Sequence, residues 1–172
     1  MTSDQISSLE EACLWADSFS RADVLLDHCP TYRNGRVVGT GWFKVLGEHW
    51  SSLDSIGFVR EEFRKILLLA SGAQLQAMMT MEERQAWREL PDEIEAWRGC
   101  EAQDDDGLSF SLCKDTAAKF PFLHRYKARS PTLITATIPK RKAVLKLDRK
   151  ESEIIAPIAK IIGRVALPGE AH

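Results

Sequence analysis

Leu133-Ile134-Thr135-Ala136-Thr137-Ile138 is the stretch that decides the fold class. Its isoleucines and threonines are β-branched, which suits a pleated strand better than a helix. Reading outward toward the C-terminus, Ala143–Leu147, Glu153–Ile158 and Ile161–Leu167 repeat the character of short strands. Toward the N-terminus lie two more strand candidates, Ile94–Gly99 and Gly107–Leu112, and a short helical turn over Asp115–Phe120. Short strands joined by turns, with little helix between them, predict an antiparallel or mixed sheet rather than a parallel βαβ repeat.

Residues 1–90 read differently. Asp4–Ser18 carries Ile6, Leu9, Cys13 and Leu14 at helical spacing, and Ala22–Cys29 is a second short helical pattern. Gly41–Ile56 sets Trp42, Val45, Leu46, His49, Trp50 and Leu53 on one stripe. Phe58–Ala70 continues as a helix, with Phe63, Ile66, Leu67 and Ala70 facing inward. Thr80-Met-Glu-Glu83 has the form of a capping box and opens a helix ending near Leu90-Pro91. The expected class is therefore α+β: a helical lobe over 1–90 packed on a β core over 91–172, the two forming one globule.

Composition narrows the function classes. With 172 residues, 44% hydrophobic and five Trp, the chain can bury a core and is not disordered. Its longest apolar run, Ile66–Ala70, is far short of a membrane span, so no membrane partner is expected. A net charge of −2 argues against bulk attraction to nucleic acid. The four cysteines lack C-x2-C spacing and the four histidines lack H-x3-H spacing, so no metal site is expected. With no basic start and apolar run at the N-terminus, the expected setting is a reducing cytoplasm with free thiols. Charge is segregated along the chain. Ten acids face three arginines in Glu82–Asp106, and ten basic residues face one acid in Lys119–Lys150. Two mutually attracting solvated faces explain this, as does a basic stretch that receives an anionic ligand or an acidic protein.

Three short motifs in the β half carry chemistry. Trp97-Arg98-Gly99 ends a strand candidate with an arginine whose planar fork suits a phosphate, then a glycine that permits close approach to the backbone. Gly107-Leu-Ser-Phe-Ser111 sets Ser109 and Ser111 on one strand face, and Leu108 and Phe110 on the other. Lys150-Glu-Ser-Glu-Ile-Ile-Ala-Pro157 sets Glu151 and Glu153 on one face, where mutual repulsion favours a raised pKa for one of them. Each motif by itself also reads as ordinary half-exposed strand.

In this order and spacing, Arg98, Ser109-Phe110-Ser111 and Glu151-Ser152-Glu153 resemble the arginine–serine–glutamate class of ADP-ribosyltransferases over roughly Ile94–Leu167. The resemblance implies an ADP-ribosyltransferase-like β core with an added N-terminal lobe, and NAD as substrate without a metal. It implies that Arg98 binds the pyrophosphate and nearby ribose, and that the Gly99 backbone holds the nicotinamide carboxamide. Ser109 would orient Glu153, and Ser111 would join the NAD-binding set. Glu153 would stabilise the cation formed as the glycosidic bond breaks, and Glu151 would activate the acceptor. Phe122, His124 or Tyr126 would stack on nicotinamide; Phe122 and Tyr126 are the residues counted in the binding set. Phe110 stands where the family often has Thr, and its side chain is expected on the face away from the site. The implied activity is mono-ADP-ribosylation of a macromolecule, a host or cognate protein foremost, by a toxin, effector or phage-encoded modifier. A nucleic-acid acceptor stays open. A non-enzymatic partner-binding protein on the same fold and an NAD glycohydrolase are the alternatives.

Overall fold

The computed structural model describes residues 1–30, 36–54, 56–123, 127–148 and 151–168, with Asp148 and Glu151 described by their backbone only. The chain divides into two compact units, Met1–Gln85 and Ala86–His172. The first is helical and the second is built on a sheet, an α+β arrangement with the helices first.

In the helical unit, α1 (Ser3–Trp15), α2 (Arg21–Asp27), α3 (Gly41–His49), α4 (Arg60–Leu69) and α5 (Gly72–Ala77) follow one another, and α6 (Met81–Glu89) runs through the unit boundary. Three of these helices begin on reciprocal side-chain caps. Thr2 pairs with Gln5, Ser71 with Gln74 and Thr80 with Glu83, each satisfying backbone N–H groups that a helix start leaves free. The Thr80 cap was expected. The Ser71 cap opens α5, which hydrophobic periodicity alone does not reveal.

The stripe over Trp42, Val45, Leu46 and Trp50 is buried, together with Phe43, Phe63 and Leu67. Trp42 stacks on Phe63 and donates its indole N–H to the Leu25 carbonyl at 2.7 Å, so its one polar group is satisfied inside the core. The stripe is not one long helix: α3 ends at His49 and tightens into a 3-10 turn over Trp50–Ser52. Phe58 lies in another 3-10 turn, Ile56–Phe58, before α4 begins, so it is off the helical stripe and 94% exposed.

The second unit holds β1 (Glu93–Glu101), β2 (Ser109–Ser111), α7 (Lys114–Lys119), β3 (Pro131–Pro139), β4 (Val144–Asp148), β5 (Glu151–Ile155) and β6 (Lys160–Ala166). They form one six-stranded sheet in the order β4-β5-β2-β1-β3-β6, every neighbouring pair antiparallel. The register aligns Ile94, Ala96 and Cys100 with Ile138, Ala136 and Thr132, and Phe110 with Ile154 and Leu145. All of these are buried, and they share one face of the sheet by alternation. Glu93 and Glu95, on the other face of β1, are exposed.

Candidate functional site

The three motif strands are neighbours. β1 carries Arg98 and Gly99, β2 carries Ser109 and Ser111, and β5 carries Glu151 and Glu153; β2 lies between the other two. The β2–β5 ladder is regular and sets Ser111 directly opposite Glu153, Phe110 opposite Ile154 and Ser109 opposite Ile155. Ser109, Ser111 and Glu153 therefore share a face, with Ser109 diagonal to the glutamate rather than across from it. The Ser111 hydroxyl accepts the Cys113 N–H at 3.0 Å. Phe110 points to the other face and is buried, as expected from alternation.

The ladder between β1 and β2 is short. Trp97 and Ser111 form its one register pair, whereas β1 and β3 share nine. The hydrogen bonds of β2 indicate what this break exposes. The N–H of Ala156 donates to the Leu108 carbonyl and that of Leu112 to the Ser152 carbonyl, which turns the even-numbered peptide groups of β2 toward β5. The carbonyl of Ser109 consequently faces β1. Trp97 faces β2 by the same alternation, and so do the N–H and C=O of Gly99, where the ladder has already ended.

Arg98 crosses this break. By alternation its side chain leaves β1 on the face opposite Trp97, and so opposite the Ser111–Glu153 row. The guanidinium then turns along β2: Nη1 donates to the Ser109 carbonyl at 3.1 Å, and Nη2 lies 3.4 Å from an Asp104 carboxylate oxygen. Its Nε is buried and has no hydrogen-bond partner among the described residues. An unmatched charged donor of this kind is costly unless a ligand or water meets it. The close fit explains Gly107, since a Cβ there would overlap the guanidinium carbon.

Gly99 has an internal reason to be glycine as well. A Cβ would overlap the Ala117 carbonyl of α7 and come within 2.6 Å of Pro121 Cδ. The segment that approaches it, the 3-10 turn Phe120–Phe122, carries half-buried Phe122. Tyr126 and His124, the other stacking candidates, lie outside the described residues, as does the Glu151 side chain.

Electrostatics around the site follow from its neighbours. The loop from β1 to β2 is acidic, and Asp105, paired with Arg164 of β6, has its carboxyl held below the usual carboxylate range by that guanidinium. Burial raises the Cys100 thiol, whereas hydrogen bonds from Thr116 lower the exposed Cys113 thiol. All four cysteines are free, and no group of metal-ligating side chains occurs among the described residues.

One residue of this region has no role in the motif reading. Lys146 on β4 is 6% exposed and lies directly opposite Glu153 in the β4–β5 ladder. In sequence it is one more lysine of a basic stretch; only strand pairing singles it out.

No family model, curated protein or solved structure matches this chain.

Proposed function

We propose that the protein is a mono-ADP-ribosyltransferase that moves ADP-ribose from NAD to a macromolecular acceptor, a protein foremost. The observation that carries the reading is the adjacency of the three motif strands, β1, β2 and β5, with Ser109, Ser111 and Glu153 on one face; Arg98 leaves β1 on the other face and reaches β2 through its bond to the Ser109 carbonyl. The chemistry suits these groups. Arg98 supplies a part-buried guanidinium, held against β2, as the proposed partner of the pyrophosphate. The Gly99 peptide directs a donor and an acceptor into the break, the complement of a carboxamide. In the reaction the ribose–nicotinamide bond breaks, its electron pair leaves with nicotinamide, and positive charge develops on the ribose. The Glu153 carboxylate stabilises that charge, as carboxylates do in glycoside hydrolysis. The acceptor nucleophile then bonds to the ribose carbon and loses a proton, for which Glu151 is the proposed base. This reading puts the work in an aqueous compartment, the cytoplasm, and needs no metal. No described helix is long and apolar enough to cross a membrane.

A second reading is favoured by the contacts of Arg98 to Ser109 and Asp104, which also suit a strut across the sheet in a partner-binding protein without catalysis. NAD labelled in its adenylate half separates the two. With purified chain and cell lysate, the transferase reading expects nicotinamide release together with a labelled macromolecule. Glu153→Gln should slow release by about 10²–10³-fold, the usual cost of losing an electrostatic stabiliser. Glu151→Gln should reduce transfer more than hydrolysis, and Arg98→Ala should weaken NAD binding. Release without a labelled acceptor identifies a glycohydrolase. Absence of both nicotinamide release and a Tm shift with NAD overturns the enzymatic reading.

A further inference from the structure

We propose that Lys146 is a positioning residue for Glu153, its ammonium set across the β4–β5 ladder to fix the direction and charge of the carboxylate. The pairing is argued from register and burial; its catalytic consequence rests on the transferase reading of Glu153. Lysine is almost never fully buried unless paired, because an ammonium withdrawn from water without a partner is strongly destabilised. Lys146 is nonetheless 6% exposed.

The ladder supplies its partner. β4 and β5 pair without a register shift from Val144↔Ile155 to Asp148↔Glu151, with Lys146 opposite Glu153 in the middle. Residues directly opposite in an antiparallel pair have Cβ atoms about 4.5–5.5 Å apart and point to the same face. β4 is the last strand on its side of the sheet, so Glu153 is the residue across from Lys146 on its one paired edge. The row on one side, Val144 and Ile155, is buried and apolar; the row on the other holds Asp148 and Glu151 at its register positions. Along the sheet, Ser111 follows on the far side of Glu153, and Trp97 follows Ser111. The result is a cross-strand row of ammonium, carboxylate and hydroxyl. Of two acids two residues apart on β5, it singles out Glu153 as the one opposite a buried cation.

Such a row does two things for a reaction that develops positive charge. It keeps Glu153 ionised, and it holds the carboxylate in one direction so that no reorganisation is needed at the moment of bond breaking. The cation does not touch the substrate in this scheme; it acts through the glutamate.

The test is a double-mutant cycle in the full chain with Lys146→Met, Glu153→Gln and both together. Each single change should lower Tm by several degrees, and the double change should lower it by clearly less than the sum. Additive Tm losses overturn the pairing. Where Lys146→Met fails to fold, Glu153→Gln alone decides: an unchanged Tm means that no buried cation has lost its partner, and the proposal falls. In the NAD assay, Lys146→Met should reduce kcat for nicotinamide release about tenfold or more with KM for NAD within about twofold, and Lys146→Arg should recover most of it. A rise in KM alone, or equal loss with Arg and Met, overturns positioning. A parent protein that never releases nicotinamide refutes the transferase reading instead, and the Tm cycle still decides the pairing.

Discussion

Gly107→Ala tests the description of the site without presuming its activity. Gly107 does not have a positive φ, so alanine suits its backbone. The added Cβ would nevertheless overlap Cζ, Nε and Nη1 of Arg98. Arg98 is the flexible partner, so the guanidinium moves and gives up its bond to the Ser109 carbonyl. A hydrogen bond from a charged group is worth about 1.5–3 kcal/mol. The Asp104 contact adds little: Asp104 is 43% exposed, and a pair so solvated contributes about 0.2–1 kcal/mol at most. Replacing Gly by Ala restricts the unfolded chain and returns about 0.4–1 kcal/mol. The net loss is about 2 kcal/mol, or about 4–8 °C in Tm for a chain of this size. Gly72→Ala, where a Cβ meets nothing within 4 Å, is the control and should leave Tm unchanged or slightly raised. Both are read by circular dichroism melts in one buffer, with and without NAD. A Gly107→Ala protein that melts with the parent and binds NAD equally well would refute the lodging of Arg98 against β2.

Three further outcomes are expected. Trp42→Ala should cost about 3–5 kcal/mol in denaturant unfolding, because Trp42 is 1% exposed and its removal leaves a large cavity beside Phe43 and Phe63. Glu101 accepts the N–H groups of Arg129 and Ser130, and the Arg129 bond leads in holding its carboxyl below the ordinary value. Its stabilisation is therefore present above the ordinary carboxylate pKa and is lost as pH falls through the lowered one. Melts between neutral pH and pH ~3 should show a smaller acid-induced drop in Glu101→Gln than in the parent. Cys113 should react first with a thiol reagent, ahead of buried Cys13 and Cys100 and of Cys29, whose thiol burial pushes up to about 11; modification in any other order, read by mass spectrometry, contradicts the exposure described here.

The sequence alone determined what depends on neighbours a few residues away. Thr80 and Glu83 cap a helix because the hydroxyl and the carboxylate reach backbone N–H groups three positions off, and that pattern is legible without a fold. The β-branched run at Leu133–Ile138 lies within β3 for an equally local reason, and alternation foretold that buried Phe110 would turn away from Ser109 and Ser111. The Ser71–Gln74 cap of α5 obeys the same rule, although the six-residue helix it opens is too short to show a hydrophobic period. What only the tertiary structure decided is pairing between distant segments. No local pattern states that Lys146 lies opposite Glu153, that Ser111 rather than Ser109 does so from the other side, or that β1 and β2 part after one pair. Nor does it state that Gly99 and Gly107 are kept small by Ala117 and Arg98 of their own chain. Register is fixed by which faces can be buried together, a choice made by the whole sheet at once, whereas a cap or an alternating strand is fixed by bonds that a single segment makes with itself.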